Sequence, residues 1–198
     1  MSKDRLAAFM DAVIAIIMTI LVLELPKPDP ITLGNVLALG NTYVTYILSF
    51  FWLGTMWVGL HNEWHHIRVI NKKVVWLGIV LLFVTSWIPY SMSVVASDPM
   101  NRLGQVLYGM SVLLVTFANL LLSVSLYKCH FDIDECDSAR HAWELRLRYI
   151  PDILIKIVGI LLSALVYPPA MVYAVLLAML WMIVPIDRLY PHSQGRTR

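Results

Sequence analysis

Charge is scarce in this sequence: only 14% of its 198 residues are Asp, Glu, Lys or Arg, while 59% are hydrophobic. A chain so poor in charge is not an ordinary soluble domain, and its composition is that of a polytopic membrane protein. It also lacks a glycine-rich nucleotide cradle, a nucleophile elbow and a basic surface for nucleic acid, its formal net charge being only +2. No Thr-Val-Gly-Tyr-Gly segment supplies rings of carbonyls for an ion filter, and no re-entrant loop sequence replaces it. A removable secretory leader is not expected, because the first apolar run is 20 residues long, has no small-residue cleavage site and leads into Glu24-Leu-Pro26.

What is present is a series of apolar runs separated by short polar stretches. Measured against the ~20 residues that cross a bilayer core, they predict an all-α fold of six transmembrane helices at about 6–25, 43–61, 74–96, 103–127, 153–167 and 170–186, one domain over 1–198. The last two are short. Ile157 to Ile186 nevertheless carries no charge and, short of its end at Pro185, is interrupted only by Pro168-Pro169, which predicts a tight helical hairpin.

The basic residues orient the chain. In a six-span layout Lys3, Arg5, Arg68, Lys72, Lys73, Lys128, Arg140, Arg146, Arg148, Arg188, Arg196 and Arg198 fall on one side, with Lys156 at its border and only Lys27 and Arg102 opposite. The positive-inside bias therefore predicts cytosolic termini. Trp64, Trp76, Trp143 and Tyr149 are expected at the cytosolic interface, Tyr43, Tyr167 and Tyr173 at the outer one, and Trp52, Trp57 and Tyr90 deeper, as packing groups.

The first helix has two unlike surfaces. At 100° per residue Arg5, Phe9, Ala12, Ile16, Thr19, Ile20 and Leu23 share one face, an apolar stripe with a single hydroxyl. Asp11 lies off that face beside Ala15, Met18 and Val22. The stripe alone reads as ordinary helix packing. The acid does not, since a charge at membrane depth faces protein or water and marks a site.

The segment Arg5-x-x-x-Phe9-x-Asp11, followed by Ala12-Val13, Ala15-Ile16 and Thr19, resembles the first-helix signature of the transmembrane protein 175 family, the endolysosomal potassium channels and their prokaryotic relatives. Where the family pattern has Ser between Phe and Asp, this chain has Met10. The resemblance covers residues 5 to 25, extends through Trp57 to Trp64, and elsewhere rests on the number and layout of the hydrophobic segments. It implies a symmetric homotetramer with helix one lining the pore, in a prokaryotic inner membrane. It further implies potassium preference, with K+ as the permeant ion and no cofactor. The residue five positions after the motif Asp, here Ile16, is implied as the narrow point, with apolar rings at Ile20 and Leu23 and the helix-one threonine at Thr19. His61, four residues after Trp57, matches the helix-two histidine that packs with Arg5 and Asp11. The topology brings His61, Arg5 and Asp11 to one membrane level, where mutual pairing would fix the rotation of helix one.

Other polar groups have plainer readings. His61, His65 and His66 with Glu63 form a dense cluster, but the order is not that of a zincin. Cys129, His130, Asp132, Asp134, Cys136 and His141 match no zinc spacing, and cytosolic thiols stay reduced. Ala139 to Tyr149 is expected as an amphipathic stretch at the headgroups, with Trp143, Arg146 and Arg148 toward anionic lipid. Asp152 and Lys156, four apart, predict an ion pair, and Asn119, Ser86, Ser91 and Ser93 predict helix-to-helix hydrogen bonds. The function classes in play are a channel, with monovalent cations, lipids and its own copies as partners; a secondary transporter; and a membrane-embedded enzyme. A transporter of inverted repeats calls for matched helix breaks, yet the first helix is unbroken and Pro89 has no obvious counterpart. An enzyme needs convergent acid and base groups, for which only the Asp11 and His61 region offers candidates.

Overall fold

The computed structural model describes residues 2–65, 67, 69–129 and 135–183, and the side chains of all of these except 65, 135–142 and 144. Among these residues eight helices follow in order: α1 Lys3–Leu23, α2 Leu33–Ala38, α3 Gly40–His65, α4 Lys72–Thr85, α5 Ile88–Ser97, α6 Arg102–Tyr127, α7 Glu135–Leu165 and α8 Ala170–Ile183. Side-chain caps start three of them, as Thr32, Asn71 and Asn101 accept hydrogen bonds from the backbone N–H groups of Asn35, Val74 and Gly104. Among the described residues four stretches are long and apolar enough to cross a membrane: α1, Gly40–Trp64, Lys72–Ser97 and α6; α8 is a shorter apolar helix. Lys72–Ser97 comprises α4 and α5 and breaks at Ser86 and Trp87. Pro89 supplies the cause, since it has no N–H to donate and its ring crowds the carbonyl of Thr85.

Helix α6 sits at the centre. It packs against α4, α5, α7 and α8, and its Tyr108, Val112, Val115 and Leu122 are wholly buried. Helix α1 packs against α3, α4 and α5. Small residues set the closest approaches, as helix packing in lipid requires. A Cβ on Gly159 of α7 would overlap Cβ of Ala174 on α8, and one on Gly78 of α4 would lie 3.0 Å from the sulfur of Met10. The α7–α8 hairpin turns at Pro168-Pro169 as expected, with Ser163 donating to the carbonyl of Pro168.

Tertiary hydrogen bonds sort the helix ends. At one end Lys3 donates to the carbonyl of Ile67 at 2.7 Å, and Ser123 to Glu63 at 2.9 Å. At the other, Thr42 donates to the carbonyl of Ala96 at 3.0 Å and Arg102 to that of Ala164 at 3.4 Å. The chain therefore runs up and down through α1, α3, α4–α5, α6 and α7. Lys3, Lys72, Lys73 and Lys128 lie at the first end, Lys27 and Arg102 at the second.

Several expectations need correction. Helix α2, a short capped turn in what reads as a loop, was not anticipated. The stretch Ala139 to Tyr149 is not a separate headgroup helix: α7 runs unbroken from Glu135 to Leu165 with Pro151 inside it. Ser86, Ser91 and Ser93 bond back to the carbonyls of Phe83, Ile88 and Tyr90 in their own segment, the local alternative always open to a serine in a helix. Tyr90 is exposed and packs no core, whereas Trp64 and Tyr149 are buried against other helices of the protein. Lys156 is not at a membrane border. Its neighbours Trp52 and Thr116 lie near the middles of α3 and α6, so the pair it makes is deep in the bundle.

Candidate functional site

Helix α1 presents two faces to two environments. Leu6, Met10, Ile14, Ile17 and Leu21 recur every three or four residues and are buried against the other helices. The opposite side, with Arg5, Phe9, Ala12, Ile16, Thr19, Ile20 and Leu23, is exposed among the described residues; Ile16 is 56% exposed and Leu23 78%. The apolar stripe is thus not the face that packs within the chain. Thr19 donates its hydroxyl hydrogen to the carbonyl of Ile16 at 2.7 Å, one turn below on the same face. Its donor is spent inside the helix, and the lone pairs of its oxygen remain as acceptors.

The acid of α1 has a definite partner. Nε1 of Trp57 on α3 donates to Oδ1 of Asp11 at 2.8 Å, and the ring of His61 lies 5.5 Å from that of Trp57, tilted by 35°. Asp11 is thus bonded to Trp57, and His61, exposed on α3, touches the Trp57 ring but makes no bond to Asp11 among the described residues. Arg5 stands exposed on α1 and bonds to neither Asp11 nor His61 among the described residues. Met10 is fully buried against Gly78, so the thioether fills space that a glycine leaves open.

Among the described residues, two of the polar groupings inside the bundle involve charged side chains. Lys156 donates to Asp152 at 2.6 Å and to Thr116 at 2.6 Å, and sits 5.2 Å from the ring centre of Trp52; lysine and aspartate are 1% and 0% exposed. The expected ion pair is present, with a hydroxyl and an aromatic face completing the surroundings that a buried cation needs. Nearer the first end, the amide of Asn119 donates to Tyr149 Oη at 3.0 Å, that oxygen is 3.1 Å from Ser123 Oγ, and Ser123 donates to Glu63. The interhelical bond expected of Asn119 is this one to Tyr149. Arg148 belongs here too, which corrects its placement toward lipid. A Cβ on Gly59 would lie 2.9 Å from its Nη2, and its charge acts on Glu63, one turn further along α3.

Apart from Asn119, this second grouping is not anticipated from the sequence, although a signal exists: Thr116, Asn119 and Ser123 form a polar stripe at helical spacing on α6, and Gly59 and Glu63 share a face of α3. Of the remaining named groups, His66, Arg68, His130, Asp132, Asp134, Arg188, Arg196 and Arg198 lie outside the described residues, as do the side chains of His65, Cys136, Arg140 and His141. Cys129 is a buried free thiol. Among the described residues no three His, Cys, Asp or Glu are placed to share a metal.

Comparison with known proteins bears on this arrangement. Residues 5–89 match the family described as "Endosomal/lysosomal potassium channel TMEM175". A protein of Chryseobacterium named as a potassium channel is 26% identical over 183 residues, covering 92% of this chain and 94% of its own length. One of Streptomyces collinus, also named as a potassium channel, is 32% identical over 98 residues, about half of each chain (48%). The fold is that of a crystal structure described as a lysosomal potassium-selective channel TMEM175 homolog from Chamaesiphon minutus. That structure superposes with a TM-score of 0.68 at 21% identity, over 90% of this chain and 97% of the other. All of these are named as ion channels, and the segment that matches the family holds both α1 and the Trp57–His61 stretch.

Proposed function

We propose that this relative of the transmembrane protein 175 family is a potassium-preferring cation channel, a homotetramer in which four copies of α1 surround the conduction path. The chain crosses the membrane six times, with α4 and α5 counted as one kinked crossing and with both termini cytosolic. The observation that carries the reading is the uncovered stripe of α1, which bears Ile16, Thr19, Ile20 and Leu23 while the opposite stripe is fully packed. A helix so divided suits a central axis, where each copy turns its free face to the others.

In that arrangement Ile16 forms the narrow ring, with Ile20 and Leu23 as further apolar rings outward, and the constriction holds water poorly. Thr19 adds hydroxyl oxygens just beyond Ile16, and its occupied donor favours acceptance of a partly dehydrated cation. No carbonyl filter is needed. Asp11, tied to Trp57 and followed by His61, fixes how far α1 is rotated, with Arg5 on the cytosolic side of the path. The membrane of residence is the prokaryotic inner membrane, in keeping with the bacterial relatives. The test is the reversal potential of the purified full chain in planar bilayers under a potassium/sodium gradient. A potential near that of potassium supports the reading; one at zero, or no current at all, removes it.

A further inference from the structure

Where α6 ends and α7 passes it, at the end of the bundle that holds Lys3, Lys72 and Lys73, the two helices leave a crevice of about 430 Å³. Val124, Ile150 and Ile153 line it, and the ring of Tyr149 closes its inner side while the hydroxyl of that tyrosine is engaged with Asn119 and Ser123. Leu121 on α6 and Leu154 on α7, 40% and 55% exposed, continue the apolar track along the outer surface. Lys128 and Arg146 stand at the crevice, both exposed and neither bonded to any described residue. Arg148, two residues further on, is turned inward to Gly59 and Glu63 and takes no part.

We propose that this crevice is a binding site for an anionic phospholipid, with an acyl chain between α6 and α7 and the phosphate on Lys128 and Arg146. Lys128 directly follows the last residue of α6, where apolar side chains give way to headgroups, so the two cations stand at phosphate depth. Cations gathered at a cleft between transmembrane helices on the cytosolic side are the chemistry that recognises acidic headgroups. A zwitterionic lipid offers the same chain but cancels its phosphate with its own cation, so the charge pattern selects a net anionic headgroup. The inference rests on the chain spanning a membrane and is independent of which ion permeates.

The test is native mass spectrometry of the full-length protein taken from vesicles of equal parts phosphatidylglycerol and phosphatidylcholine. Phosphatidylglycerol is retained in preference. Lys128→Gln with Arg146→Gln lowers its retention roughly tenfold, whereas Lys72→Gln with Lys73→Gln, which removes the same charge at the same end of the bundle, leaves it unchanged. Val124→Trp, which fills the crevice, lowers retention of both lipids. Because Lys128 and Arg146 are exposed, the charge variant folds and decides the matter even where Val124→Trp does not. Equal retention of the two lipids, an equal loss in the Lys72 and Lys73 variant, or displacement of the lipid by glycerol phosphate alone overturns the proposal.

Discussion

Trp57 on α3 donates its indole N–H to the carboxylate of Asp11 on α1 at 2.8 Å, and this bond couples the rotation of the first helix to the body of the protein. A hydrogen bond to a charged group contributes about 1.5–3 kcal/mol, and an acid left unpaired inside a bundle costs more than the bond itself. Trp57→Phe should therefore lower thermal stability in detergent by about that amount. On an Asp11→Asn background the same change should cost much less, because groups in contact are not additive. Arg5→Gln should add its effect independently of Asp11→Asn, since Arg5 makes no bond to Asp11. Additive Trp57 and Asp11 effects would show that the pair is not formed.

Lys156 and Asp152 are both sealed from solvent, so each depends on the other. Lys156→Met leaves the carboxylate without its counter-charge and should cost about 3–5 kcal/mol, whereas Lys156→Met with Asp152→Leu should regain most of that loss. Thermal unfolding of both proteins in one detergent measures it. If the double variant is as unstable as the single one, the pair has a role beyond mutual neutralisation.

Gly159 lets α7 and α8 meet at a distance no other residue allows. Gly159→Ala should destabilise the hairpin by about 1–3 kcal/mol through overpacking, and Ala174→Gly added to it should restore much of the stability. Full tolerance of Gly159→Ala would mean that the two helices lie further apart.

The orientation is tested by labelling. With Cys129 and Cys136 replaced by alanine, a cysteine at Asp98 should react with an impermeant reagent applied outside, and one at Lys73 only after permeabilisation. The reverse pattern would invert the chain and move Asp11 and His61 to the outer side.

How far the sequence could be read depended on whether composition or rotation carried the information. Helix existence followed from apolar length, and the break near Pro89 has its cause in a single residue type. The pairing of Asp152 with Lys156 is legible from their spacing, but its depth is not, because charge alone sets the start of the fifth span at a border, whereas α7 carries these two residues on into the bundle. Arg148 shows the same limit. Periodicity places it on a face of α7 but does not say whether that face meets lipid or the notch at Gly59, which exists only once α3 is in position. On α1 the free and packed faces were separable because they differ in chemistry, yet the partner of Asp11 turned out to be Trp57, whose indole N–H reaches the acid directly.

The central claim, that the stripe through Ile16 lines the path, is tested most directly by the currents and potassium/sodium reversal potentials of Ile16→Asn beside Met18→Leu. An apolar ring forces a cation to cross partly dehydrated, and a polar side chain lowers that barrier for every small cation. Met18 is half-buried off that stripe, beside Gly54 of α3, and serves as the control. Ile16→Asn should raise the current and move the reversal potential toward zero, while Met18→Leu leaves both near those of the parent. Parental behaviour in Ile16→Asn together with altered permeation in Met18→Leu would mean that α1 turns a different face to the axis.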